Sequence, residues 1–218
     1  MRHVLERCAP LTGVVSVACT FVGTIAVLNM PQAKDSDAAI RSYFASHSHR
    51  LHGTLAFFAL LGGIALLLVF LTTLRDRLQA AEGRSGPLST LVYGAGVAAA
   101  VLFVVSALLA NATTFAASEG SFQVDPNTFR LLADTAYFAW VAALLVGALV
   151  VWATSALVLR THALPRWYAW LGVVGGASQL FAYFVFPFLA WWIWIVLTSI
   201  MLVRPRHPRT SAVAQPAL

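Results

Sequence analysis

Apolar positions along this chain gather into long, nearly unbroken stretches separated by short polar segments. The stretches run Leu11–Leu28, Leu51–Leu74, Leu88–Ala110 and Leu131–Leu159, followed by Trp167–Val203, which holds no formal charge. Crossing about 30 Å of hydrocarbon takes roughly 17–25 helical residues. The first four stretches therefore predict one transmembrane helix each. The fifth would make a single helix roughly 55 Å long, too long for one bilayer. Pro187 sits near its middle, and proline suits a first helical turn better than a helix interior. A split into Trp167–Phe186 and Pro187–Val203, joined by a tight turn, predicts six spans.

The segments between the spans carry their own signals. Gly83, Gly86 and Pro87 mark a turn in the Arg75–Pro87 loop. Ser36 or Asp37 predicts the cap of a short helix that brings Ile40, Tyr43, Phe44 and His47 onto one face. Asp125-Pro126 predicts an N-cap with proline at the first helical position, leading into the fourth span. Thr54–Phe57 can be laid against Thr135–Phe138, and both of those spans end in Leu-Arg, at Arg75 and Arg160. Alanine-rich apolar helices resemble one another by chance often enough to account for this.

Composition agrees with the pattern. The chain is 60% hydrophobic and 10% charged, against about 25% charged in an ordinary soluble domain. Its charge gives an orientation, because cytoplasmic flanks are enriched in Lys and Arg. With the N-terminus inside, the inner segments hold Arg2, Arg7, Arg75, Arg77, Arg84, Arg160, Arg166, Arg204, Arg206 and Arg209. The outer segments hold Lys34, Arg41, Arg50 and Arg130. Both termini are thus expected in the cytoplasm, which also requires an even number of spans. The net charge of +6 reads as topology signal, and no basic face with groove-reading elements suggests nucleic acid. The first apolar run is longer than a signal-peptide core and no A-x-A site follows it, so an uncleaved anchor is expected. Cys8 and Cys19, about three turns apart on one helix, cannot pair with each other. One lysine among thirteen arginines points to a GC-rich bacterial genome.

The stretch Leu159-Arg-Thr-His-Ala-Leu-Pro-Arg-Trp-Tyr-Ala-Trp-Leu-Gly172, together with the ending Trp194–Arg204, resembles bacterial six-span integral membrane proteins classed only as a domain of unknown function. In those, an Arg closes the fourth span and a Leu-Pro-Arg-Trp loop opens the fifth. The resemblance implies a six-helix bundle along the whole chain and carries over no activity and no catalytic residue. The histidine-rich outer segment departs from it.

That segment, Ser46-His-Ser-His-Arg-Leu-His52, is the sharpest candidate for chemistry. Imidazole is a common ligand of zinc, copper and haem iron. His49 and His52 share a helical face, and His47 joins them only if the helix unwinds near Ser48. A metal or haem site on these histidines and a pH-sensitive patch are two readings. Interfacial histidines that merely suit the headgroup region are the third and plainest. Asp134 is the only acidic residue within an apolar run, and Arg130 four residues earlier predicts a local ion pair. Proton coupling through Asp134 is the sharper alternative. His49, His52 and Asp134 are expected to approach one another at the outer mouth of the bundle.

Ser178 and Gln179 are expected mid-membrane in the fifth span, bonding neighbouring helices. Gly172 and Gly176 form a small-xxx-small pair, expected to allow close helix packing or association of two copies. Trp191, Trp192 and Trp194 suggest an aromatic belt. The only lysine, Lys34, lies in a loop, which argues against a retinal Schiff base. The chain has no P-loop, G-x-S-x-G or C-x-x-C motif.

The expectation is therefore an all-α bundle of six helices, N-in and C-in. It forms one membrane domain over residues 1–206, with a disordered cytoplasmic tail over 207–218, in a bacterial plasma membrane. The leading function is a non-enzymatic binding, transport or accessory protein for a small apolar or amphipathic molecule, with no resident cofactor. The alternatives are a membrane enzyme or redox protein with a metal or haem site at the outer face, and a proton-coupled carrier using Asp134.

Overall fold

The computed structural model describes residues 9–83, 86–119, 123–184 and 186–203, the side chain of Phe186 excepted. Cys8, the expected tail from residue 207 and six of the ten inner arginines (Arg2, Arg7, Arg84, Arg204, Arg206, Arg209) lie outside them. The described residues form seven α-helices and no strand. They are α1 (Thr12–Leu28, preceded by a 3-10 turn at Ala9–Leu11), α2 (Asp37–Ala45), α3 (His47–Glu82), α4 (Pro87–Ser118), α5 (Pro126–Thr161), α6 (Arg166–Ser178) and α7 (Phe186–Val203). Four are long and apolar enough to cross a membrane: α1 with its 3-10 turn, α3, α4 and α5.

Turn chemistry sets most of the helix ends. Ser36 caps α2, its Oγ accepting from Ala39 N at 3.3 Å. Asp125 caps α5, accepting from the backbone of Asn127 at 3.4 Å and of Thr128 at 2.9 Å, with Pro126 in the first turn. Both agree with the sequence reading. The helix read through His47 stops at Ala45, however, and His47 opens α3. At the other end α3 runs eight residues past Leu74, and Gly83, at φ 104°, ends it. The Glu82 carboxylate then caps α4, accepting from Leu88 N at 3.0 Å and Ser89 N at 2.9 Å. The expected Arg75–Pro87 loop is thus mostly helix, because no residue before Gly83 favours a turn.

At 36 residues each, α3 and α5 are about 54 Å long and outrun the hydrocarbon. The last apolar stretch breaks earlier than expected. After Ser178 the chain enters a 3-10 turn at Gln179–Phe181 and bends before α7, where Pro187 occupies the first turn. At 13 residues, α6 spans only about 20 Å.

The helices pack in a ring, α1 on α3, α3 on α4, α4 on α5, α5 on α6, α6 on α7 and α7 back on α1. Small residues make the closest approaches. Ser16 on α1 donates to Gly63 O on α3 at 2.6 Å, and a Cβ at Gly63 would meet Thr20 and the Ser16 carbonyl. Gly172 and Gly176 lie against Ser155 and Trp152 of α5. The small-xxx-small face therefore packs within the chain, on α5.

The two ends of the ring differ. Toward Arg75 the interior is solid: Phe70, Leu71, Leu74, Val92, Leu157 and Tyr168 are all fully buried. Toward His47, α2 lies over the ends of α4 and α5, burying Ile40 and Phe44 against Ala117 and Phe129. Between that lid and the solid half, α1 and α5 are not packed on each other. On the outside of the ring, Val22, Phe58, Phe138 and Val174 are 61–69% exposed, apolar surface suited to acyl chains rather than water.

Candidate functional site

A cavity of about 280 Å³ lies in this half. Along α1 it is lined by Ser16, Thr20 and Thr24, and along α3 by Leu60 and Ile64. Its back wall is alanine: Ala107 and Ala110 on α4, Ala133 and Ala136 on α5. Phe188, Trp191, Trp192 and Ile195 of α7 form its floor, with Phe103 and Trp140 beside them. α1 packs on α3 and α7, and α5 on α4 and α6, so the cavity lies in the gap that α1 and α5 leave between them.

Sequence and shape are directly connected here. Ala107/Ala110 and Ala133/Ala136 each stand three residues apart, so each pair shares a helical face. Ser106 Oγ donates to Ala136 O at 2.8 Å, tying α4 to α5 behind them. Four methyl groups where leucines would fill the space leave the hollow. On α7, Trp191, Trp192 and Trp194 are 3%, 7% and 1% exposed. They are not the aromatic belt expected of them, because α7 turns that side inward. Trp167 and Trp170 are exposed instead.

Among the described residues no charged side chain lines the cavity. Its hydroxyls are mostly committed. Ser16 bonds Gly63 O; Thr20 donates to Ser16 O at 2.9 Å and accepts from Trp192 Nε1 at 3.1 Å; Tyr137 donates to the Tyr183 carbonyl. Thr24 is half-buried and makes no hydrogen bond within the described residues. One free hydroxyl in an otherwise apolar wall gives a bound molecule a single polar anchor.

The end nearest His47 is closed by a strap, residues 29–36. Arg130 on α5 holds it with Nε donating to Ala33 O at 2.9 Å and Nη2 to Asp35 O at 2.9 Å. Nη2 also pairs with Asp37 at 2.8 Å, and Nη1 reaches Asn127 Oδ1 at 3.2 Å. The Arg130–Asp134 pair expected from the four-residue spacing does not form, because three acceptors on the strap and α2 lie on the other side of the guanidinium. Asp134 is exposed and outside the cavity lining, so nothing in the geometry places it on a proton path through the bundle.

The histidines do not converge. His47, His49 and His52 are all exposed. His49 stacks on Tyr43 at 4.4 Å and 13°, with Nδ1 3.3 Å from Tyr43 O. Neither His49 nor His52 bonds Asp134. Among the described residues no three His, Cys, Asp or Glu side chains come together as metal ligands. Gln179 is not mid-helix but closes the bend between α6 and α7, donating through Nε2 to Pro187 O at 2.8 Å. Ser178 donates to Gly175 O at 2.7 Å on its own helix. Both are packing groups outside the cavity lining.

No family model, no curated protein and no solved structure matches this chain.

Proposed function

We propose that this chain is a multi-pass membrane protein that holds a small apolar or amphipathic molecule in the cavity between α1 and α5, as a binding, transport or accessory protein and not as an enzyme. The observation that carries this reading is the lining itself: uncharged, rich in alanine and aromatic side chains, with Thr24 as its one uncommitted hydroxyl. Cavities lined this way stay dry and take apolar ligands. Its volume of about 280 Å³ is close to the lower bound of small-molecule sites. α1 packs on α3 and α7 and α5 on α4 and α6, so entry from the acyl chains between α1 and α5 belongs to the same proposal.

The membrane placement belongs to the same proposal. α6 and α7 make the fifth and sixth crossings as a short hairpin, tilted or in locally thinned lipid. Arg75, Arg77, Arg160 and Arg166 mark the cytoplasmic end of a bacterial plasma-membrane protein, with both termini on that side. The resemblance to bacterial six-span proteins of unknown function agrees with this count.

Photolabelling tests the ligand reading. The full chain, reconstituted in zwitterionic lipid nanodiscs, is irradiated with a dodecanol that carries a diazirine at the end of its tail. Saturable labelling is expected on Ala107, Phe188, Trp191 or Trp192, and Ala133→Trp, which fills the cavity, should abolish it. Labelling confined to outward residues such as Phe58 and Val174, unchanged by Ala133→Trp, would overturn the reading.

A further inference from the structure

A second space adjoins the first. It is a recess of about 330 Å³ lined by Asn29, Asp35, Ser42, Tyr43 and His49, with Met30 and Pro31. Met30 and Pro31 also line the apolar cavity, so a partition only two residues wide separates a dry space from a polar one. Met30 is an unbranched, flexible side chain, the kind of group that can swing aside. From Ser16 to Leu28, the wall of α1 that flanks the cavity, is about 18 Å. That matches an extended medium-length alkyl chain, and the recess lies just beyond the end that the strap closes.

The free polar atoms of the recess are mainly acceptors. Ser42 Oγ already donates to Ala39 O at 2.9 Å, and Asn29 Nδ2 to Ile25 O at 2.9 Å, which leaves Asn29 Oδ1 open. Asp35 Oδ2 accepts from Gln32 N at 2.8 Å, and its Oδ1 has no bond. His49 Nδ1 faces Tyr43 O; a neutral ring that donates there keeps Nε2 as an acceptor. The donors that remain are the Tyr43 hydroxyl and the second N–H of Asn29 Nδ2. One carboxylate, an amide oxygen and an imidazole nitrogen, beside stacked aromatic rings, suit a group that brings several N–H donors and a positive charge.

We propose that cavity and recess form one site for a single-chain amphiphile with a primary ammonium head, its tail in the cavity and its head against Asp35. This rests on the cavity reading above and adds the head-group chemistry. Dodecylamine is such a molecule, charged at pH 7 as a lysine side chain is.

The test is competition against the tail-diazirine dodecanol in the same nanodiscs. Dodecylamine should displace the probe from the cavity residues about tenfold more effectively than dodecanol, and dodecanoate should be the weakest. Asp35→Asn, which keeps an acceptor for Gln32 N, should bring dodecylamine down to the level of dodecanol while dodecanol itself is unaffected. Ser42→Lys, a cation placed in the recess, should have the same effect and serves if Asp35→Asn disturbs the strap. If the three compete equally, or dodecanoate competes best, the head-group proposal falls and the cavity stands. If the dodecanol probe labels no cavity residue at all, the cavity reading falls and this proposal with it.

Discussion

At the scale of single residues, small side chains act in two opposite ways in this molecule. Gly172 and Gly176 are small because something fills their place: Ser155 and Trp152 press into α6 there. Ala107, Ala110, Ala133 and Ala136 are small and nothing fills theirs. The distinction gives unequal tolerance to enlargement. Gly176→Leu should lower stability by about 1–3 kcal/mol, the usual range for overpacking, as a drop in the thermal transition in nanodiscs. An unchanged transition would mean that α6 does not rest on α5 through this face. The glycine pair was legible from its i, i+4 spacing. The alanine pairs were not, because alanine fits equally in a tight interface and along a void. Only the facing pair on a second helix separates the two cases, and one chain read linearly does not show which helices face.

Among the elements, the strap and the capped start of α5 define the His47 end. Arg130 was legible as a charged residue at the head of a span, but its partner was not. Spacing along one helix favours Asp134, whereas the observed partners Ala33, Asp35 and Asp37 lie more than ninety residues away. Hydrogen bonds to a charged group are worth about 1.5–3 kcal/mol each. Arg130→Met should therefore free the strap and speed tryptic cleavage after the exposed Lys34 at least about tenfold. Equal cleavage rates would show that the strap is held by something other than Arg130.

The α5 cap carries a pH signature. The hydroxyl and the backbone N–H of Thr128 hold the Asp125 carboxyl below its ordinary value. A depressed folded pKa contributes stability above the unfolded value of about 3.9, and that contribution is lost as pH falls through the folded pKa. Amide exchange at Asn127 and Thr128, normalised to intrinsic rates, should lose protection only in that acid range. In Asp125→Asn the step should disappear. A step that persists in the variant would assign it to another carboxylate. This cap was readable in the sequence, since Asp-Pro before an apolar run has a local meaning that packing does not change.

For the whole molecule, the sequence supplied the all-helical class and the apolar stretches, which depend on composition and length alone. It did not supply the bend at Gln179–Phe181, the inward turn of Trp191, Trp192 and Trp194, or the outward turn of His49 and His52. Each of those is a choice of helix face, set by neighbours distant in sequence. Orientation still depends on arginines at the Arg75 end. In a chain with Cys8 and Cys19 replaced by serine, a membrane-impermeant thiol reagent added outside intact cells should modify Glu119→Cys and spare Ala80→Cys. The reverse pattern would invert the molecule, and modification of both would reject a fixed orientation.

The central claim is that one half of the ring is solid and the other hollow, and α4 crosses both. Ala99 is fully buried in the half toward Arg75, and Ala107, two turns further along the same helix, lines the cavity. The most direct measurement is the thermal stability, in the same nanodiscs, of Ala99→Leu and Ala107→Leu. A hollow half predicts that Ala107→Leu is neutral or stabilising, while Ala99→Leu costs about 1–3 kcal/mol. Equal losses at the two positions would mean that the bundle is packed throughout, and the cavity on which the functional reading depends would not exist.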